Sequence, residues 1–323
     1  MSDPHGVRYE TTGRVARLTL SRPDRGNGIT LGLVRELSDC VERADLDPAV
    51  HVLLLAGDGP GFCAGYDLVE SAERMGAAGE GDARSAEGES GPGEADARPE
   101  DRAFAGSPLD PAVIAANHDP AATWDAMVDF AMMSRNVRGF MSLMQCGKPV
   151  VCKVHGFCVG GGTDMALCSD LLVIGAGAKI GYPPARVWGS PTTALWAHRI
   201  GIQRAKRLLF TGDSLSGAEA AEWGLAIEAP PDDRLDERAE ALVERVAMMP
   251  LNQLRMMKLL VNQTLLGQGL FATQTLGTLL DGIARHTAEG YAFQRRAAGS
   301  SFKEAVRERD DPFGDAGRAT HKG

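Results

Sequence analysis

KPVVCKVHGFCVGGGTDMALCSDLLVIGAGAKIGYPPARVWGS, residues 148–190, is the stretch that decides the fold of this 323-residue chain. Its apolar run Val150–Val154 reads as a buried strand, and a loop opens at Gly156. Gly160, Gly161 and Gly162 lead into an apolar segment, 163–168, that reads as a helix, and the run Leu171–Ile174 reads as the next strand. A strand feeding a glycine-rich turn and then a helix start leaves backbone N–H groups without partners, and glycine lets a ligand come close to them. The expectation is a site for negative charge.

A second turn of the same kind lies upstream. Residues 52–56 (VLLLA) form a continuous apolar run, as in a strand covered on both faces, and 57–68 (GDGPGFCAGYDL) is again glycine-rich. Backbone donors therefore arrive from two strand-to-helix turns, one near Ala64 and one near Gly161. Before them, Val15–Leu20 alternates like a half-buried strand, and Leu33, Val34, Leu37 and Val41 recur at helical spacing after Thr30, a candidate N-cap. Residues 71–120 change composition, and 76–102 hold alanine as their only apolar residue type, so an insertion of about 72–107 is expected to be flexible. Order is expected to return near Trp124, with Met127, Phe130, Val137, Phe140, Met141 and Met144 on a helix. Residues 216–225 (SGAEAAEWGL) read as a capped helix ending at Gly224. Beyond about residue 231 the pattern is helical, with a polar tail after Phe302. The division is thus an α/β core, 1–230, and a helical region, 231–323, that packs on the core or on a neighbouring subunit.

The net charge of −9 argues against non-specific nucleic-acid binding, which needs a basic footprint. None of the six cysteines forms a C-x-x-C pair, so buried free thiols in a reducing compartment are expected rather than disulfides or a metal site. No basic-then-apolar leader and no run of ~20 apolar residues is present, so the cytoplasm is the expected location. The glycines lack the Lys-Ser/Thr of a P-loop, and no G-x-G-x-x-G follows the strand, which excludes the two common nucleotide motifs.

Three ordered motifs resemble the crotonase (enoyl-CoA hydratase/isomerase) superfamily. Residues 63–68 (CAGYDL) resemble its A-G-x-D-[LI] turn, and 156–170 (GFCVGGGTDMALCSD) its G-x-x-x-G-G-G-x-[ED] signature. Residues 211–225 (TGDSLSGAEAAEWGL) resemble the T-G-x-x-x-x-A-x-E-A-x-x-x-G-L segment that follows. The resemblance implies a spiral of ββα units, assembly as a homotrimer or homohexamer, and an acyl-coenzyme A thioester substrate with no separate cofactor or metal. It implies two backbone N–H donors holding the thioester oxygen, carried over here to Ala64 and Gly161.

The hydratases of this family use two glutamates. The first position is Asp164 here and the second is Pro184, so one acid is shorter by about 1.5 Å and the other is absent. As a first-turn acid, Asp164 is expected to stay ionised and to serve as the base. Cys63, Tyr66, Gly160, Pro184, Arg186 and Trp188 are expected around the substrate, Arg186 pairing with Asp164 or with a substrate carboxylate. Lys258, one turn from Asn262, is the candidate for a coenzyme A phosphate, against the plainer reading of a solvated helix face. Asp67, Asp170 and His155 are assigned to structure, and His118 and Asp119 are set aside. The implied activity is addition of water to a 2-enoyl thioester. Isomerisation, decarboxylation or carbon–carbon hydrolysis on the same oxyanion site is the alternative that Pro184 favours. A catalytically weakened acyl-CoA-binding protein is the alternative of another class.

Overall fold

The chain is described from a computed structural model, which covers residues 5–68, 70 and 104–314. The expected flexible stretch, 76–102, lies outside the described residues.

Five strands form the main sheet in the order β1–β2–β3–β4–β6: β1 (Val7–Thr12), β2 (Val15–Leu20), β3 (Val52–Gly57), β4 (Val150–Val154) and β6 (Leu171–Ile174). β1 and β2 are an antiparallel hairpin, and the remaining pairs are parallel. A second sheet joins β5 (Phe157–Val159), β7 (Lys179–Gly181) and β8 (Ser214–Ser216). The apolar run of β3 has the environment its sequence requires. Leu53 and Leu55 face one core cluster, while Val52 and Leu54 face another. That burial on both faces is why β3 shows no polar alternation.

Helix α1 (Leu31–Leu46) starts where Thr30 accepts a hydrogen bond from Leu33 N at 3.1 Å, and it buries Leu33, Val34, Leu37, Val41 and Ala44. A short helix, α2 (Pro111–Asn117), precedes the expected return of order; Asp110 caps it and Pro111 supplies its first residue. α3 (Ala126–Gln145) packs Val137, Phe140, Met141 and Met144 into the core and leaves Met127 exposed. Then come α4 (Gly161–Ala166), α5 (Trp196–Ile200), α6 (Ile202–Thr211) and α7 (Gly217–Glu222). α7 carries the reciprocal Ser216–Glu219 capping box.

The helical region begins with an element of the core itself. α8 (Leu235–Ala247) lays Leu235, Ala239, Val243 and Ala247 on Val15, Val52, Leu54, Val151 and Val173 of the main sheet. α9 (Leu251–Gly267), α10 (Leu270–Arg285) and α11 (Ala288–Gly299) follow. The expected polar tail after Phe302 is instead helix α12 (Phe302–Asp310), capped by Ser301 and tied to the body through Asp310 and Arg186.

Candidate active site

The two glycine-rich turns meet. Cys63 N donates to Phe157 O at 3.2 Å and Val159 N to Cys63 O at 3.1 Å, so the 57–68 turn runs beside β5 and reaches the start of α4. Asn27, fully buried, anchors the turn by donating from Nδ2 to Asp58 O, Gly61 O and Phe62 O at 2.9–3.0 Å. Gly65 has φ +100°, and a Cβ there would lie 3.2 Å from Val159 O and 3.5 Å from Gly161 N. Glycine is needed because the two backbones are nearly in contact.

The donors of the first turn are distributed differently from the expectation. Ala64 N donates to Gly26 O at 2.9 Å, so Ala64 cannot serve an incoming oxygen and that assignment is corrected. Cys63 N, Gly65 N and Asp67 N are likewise occupied, by Phe157 O, Cys63 Sγ and Ile29 O. Tyr66 N is the one N–H of residues 63–67 that finds no acceptor among the described residues. On the other turn, Gly160 N is held by Gly181 O, whereas Gly161 N, first in α4, finds no acceptor among them either. Tyr66 and Gly161 are in contact: a Cβ on Gly161 would lie 2.7 Å from Tyr66 Cε2.

Asp164 is fully buried. Its Oδ1 accepts from Thr193 Oγ1 at 2.8 Å and Thr193 N at 3.2 Å, and its Oδ2 from Thr192 Oγ1 and Thr192 N, both at 3.3 Å. A carboxylate has about four lone-pair sites, and here all are filled. Burial pushes its pKa up to about 7, and the bonds from Thr193 and Thr192 only partly offset this. Desolvation therefore works against the expected ionisation of Asp164 at the start of this six-residue helix. Tyr66 presents a buried hydroxyl beside Thr192 without a well-formed hydrogen bond. Burial first, and the charge of Asp164 after it, raise the Tyr66 hydroxyl well above its ordinary value. Cys63 is inert as a nucleophile, because burial pushes its thiol up to about 12. Pro184 lies against Gly160 (3.3 Å from a Cβ there) and Gly189 (3.1 Å).

Two polar groups that the sequence reading missed come from α10. Asp281 Oδ1 accepts from Ser190 N at 3.3 Å, and its Oδ2 pairs with Arg285 at 2.6 Å. In sequence, an Asp and an Arg four apart on a helix look like a solvent-facing pair. The signal that places them inside is the row Gln274, Gly277, Asp281, one face of α10, all three of which are buried.

Several expected residues have other employment. The Arg186 guanidinium donates to Thr211 O at 3.0 Å, pairs with Asp310 at 3.1 Å and Asp213 at 3.4 Å, and stacks on Phe313 at 4.0 Å. It joins α12 to the body rather than pairing with Asp164. Lys258 is neither solvated nor open to a phosphate. Its buried ammonium donates to Leu143 O at 2.8 Å and Lys148 O at 2.9 Å and pairs with Asp170 at 2.8 Å. Trp188 packs on Phe293, with ring centroids 5.3 Å apart. The structural assignments hold for Asp67, which meets Arg22 and Arg25, for Asp170, which accepts from Val150 N, and for His155, which contacts Gly59 O. His118, Asp129 and His286 bring potential metal-ligand atoms within 4.8 Å of one another. Asp129, however, already accepts from Asn117, Trp124 and His286, and the Arg285 guanidinium lies 3.3 Å from it. A cation there would face a fixed positive charge.

The model of the enoyl-CoA hydratase/isomerase family matches residues 10–88 and 125–279. Among solved structures, an enoyl-CoA hydratase from Mycobacterium smegmatis superposes with a TM-score of 0.86 at 52% identity, over 97% of this chain and 96% of that one. The 1,2-epoxyphenylacetyl-CoA isomerase of Escherichia coli is 27% identical over 275 residues, 83% of each chain. The mevalonyl-coenzyme A hydratase SIDH of Beauveria bassiana is 30% identical over 219 residues, 67% of this chain and 63% of the relative. With the two converging turns and the α/β core that carries them, these matches establish that the chain belongs to the enoyl-CoA hydratase/isomerase family.

Proposed function

We propose that this enzyme adds water to a 2-enoyl-CoA thioester. The observation that carries this reading is the pair of N–H groups, on Tyr66 and Gly161, that find no acceptor among the described residues and belong to turns whose backbones nearly touch at Gly65. When hydroxide adds to the β carbon, the π electrons shift toward the thioester and its oxygen becomes negative. Two fixed donors stabilise that oxygen, each contributing ~3–4 kcal/mol in a water-poor site. Asp164 holds the 190–193 turn through Thr192 and Thr193 and so fixes one wall of the site. Coenzyme A is part of the substrate, and the step needs no further cofactor.

A second reading, shift of the double bond by an isomerase, uses the same oxyanion donors. Pro184 favours it, because a side chain without an acid stands where the family's hydratases carry a glutamate. Loss of enone absorbance from a short 2-enoyl-CoA, with formation of the 3-hydroxyacyl product, supports hydration. Conversion of a 3-enoyl to a 2-enoyl thioester without hydration selects isomerisation. Tight thioester binding without turnover of either selects a binding protein.

The assembly proposed is a homotrimer or homohexamer. It is supported by exposed apolar side chains on α9 and α10, among them Leu259, Leu260, Val261, Phe271 and Leu276. Among the described residues no helix is long and apolar enough to cross a membrane. A cytoplasmic location is proposed on the free, unpaired state of all six cysteines.

A further inference from the structure

Water addition needs a carboxylate that takes a proton from water and gives one to the α carbon. Pro184 supplies none, and Asp164 is closed to water, being fully buried with four donors on its two oxygens. For Asp164 to accept a proton from water, a threonine bond would first have to break.

α10 delivers another carboxylate to the same turn. Its inner face runs antiparallel to residues 190–193. Gln274 Nε2 donates to Thr193 O at 3.0 Å, a Cβ on Gly277 would lie 2.8 Å from Pro191 O, and Asp281 accepts from Ser190 N. The N–H of Ser190 thus holds Asp281 while that of Thr192 holds Asp164. Two Cα–Cα steps of 3.8 Å bound the Ser190–Thr192 Cα separation at about 7 Å. Contacts continue from there to the oxyanion turn. Tyr182 donates to Ser190 O at 2.8 Å, and Pro184 fills the space between Gly189 and Gly160, next to Gly161. Asp281 is also close enough for its charge to act on the Tyr66 hydroxyl and on Asp164. Unlike Asp164, it keeps acceptor capacity: Ser190 N and Arg285 use two of about four sites, and its side chain is 10% exposed.

We propose that Asp281 is the catalytic carboxylate of this site, ferrying a proton from water to the α carbon; the assignment rests on the enoyl-thioester reading above. The Asp281 carboxylate accepts one proton of a water molecule as the water oxygen bonds to the β carbon. The carbon–carbon π pair moves to form the enolate, whose oxygen sits on the N–H groups of Tyr66 and Gly161. The enolate then takes the same proton from Asp281 at the α carbon, restoring the thioester carbonyl and the carboxylate. One H and one OH have been added, and nothing else is consumed. Arg285, bonded to Asp281 at 2.6 Å and braced by Asp129 at 3.3 Å, is a positioning residue.

The test uses the full chain with a short 2-enoyl-CoA as substrate and a saturated acyl-CoA as binding probe. Asp281→Asn is expected to lower kcat by about 100-fold or more, with probe affinity within about threefold of the native enzyme. Asp281→Glu, which keeps the carboxylate, is expected to recover at least about tenfold of that loss. A smaller loss of kcat in Asp281→Asn overturns the assignment and leaves the hydratase reading standing. So does loss of probe binding together with turnover, or an Asp281→Glu enzyme no faster than Asp281→Asn. A native enzyme that binds the probe but does not hydrate the enoyl substrate overturns the hydratase reading itself, and this inference with it.

Discussion

The ring of Tyr66 lies on the Cα of Gly161, and a methyl group there would sit 2.7 Å from Cε2 and 3.0 Å from Cδ2 and Cζ. The same two residues carry the open N–H groups, so the ring fixes the spacing of the donors. Gly161→Ala must push the ring and the 63–67 turn away. The expected loss is about 100-fold in kcat, because displacements of ~1 Å in an oriented site have that effect, with an overpacking cost of roughly 1–3 kcal/mol in stability. In a Tyr66→Ala background the added methyl group has room, and its stability cost is expected to vanish. Equal costs in both backgrounds, measured by urea denaturation, would show that the ring is not what excludes the side chain.

Asp164 makes stability depend on pH in an unusual direction for an acid. Its pKa is 3.8 ordinarily and about 7 in the folded chain. The folded state binds this proton more tightly than the unfolded state. The contribution is therefore complete below the unfolded value and is lost as pH rises through about 7. Relative to Asp164→Asn, the native chain is expected to lose several degrees in Tm between about pH 4 and pH 7 and to change little above that. A difference between the two that is flat across this range rules out the raised value.

Lys258 tests a correction. Lys258→Met leaves the Asp170 carboxylate without its buried partner and takes the ammonium donor away from the Leu143 and Lys148 carbonyls. Breaking a buried pair in this way costs roughly 3–5 kcal/mol, read as a lower urea midpoint. Thioester affinity of the folded variant is expected to stay native. Unchanged stability with weakened affinity would return Lys258 to the coenzyme A site.

The apolar surface of α9 predicts association. Leu259 is 71% exposed, and Leu260 and Val261 are each 65% exposed. Sedimentation is expected to show a trimer or hexamer of the 34.2 kDa chain, and Leu260→Glu a shift toward monomer. A monomeric native chain defeats this expectation.

What could be read in advance was whatever repeats locally. The two-sided burial of β3, the Thr30 and Ser216 caps and both glycine turns follow from neighbouring residues, and each is present. The misreadings concern partners far along the chain. Arg186 finds Asp310 at a separation of 124 residues, and Lys258 finds Lys148 O at 110, so nothing near either one signals burial. Asp281 meets Ser190 across 91 residues. The Ala64 error is of another kind. The turn motif is local, but which of its N–H groups stays open depends on Gly26 O, which belongs to a different loop.

The seating of Gly277 on Pro191 has a practical consequence. The contact is too close for any side chain, so α10 either docks on the 190–193 turn or leaves it altogether. If it leaves, Ser190 loses its carboxylate acceptor and the Thr193 carbonyl its amide donor at once. Catalysis then reports on the docking of one C-terminal helix, and thermal inactivation is expected to run ahead of the melting of the β-sheet. Hydrogen exchange would register that same event first in the amides of residues 190–193.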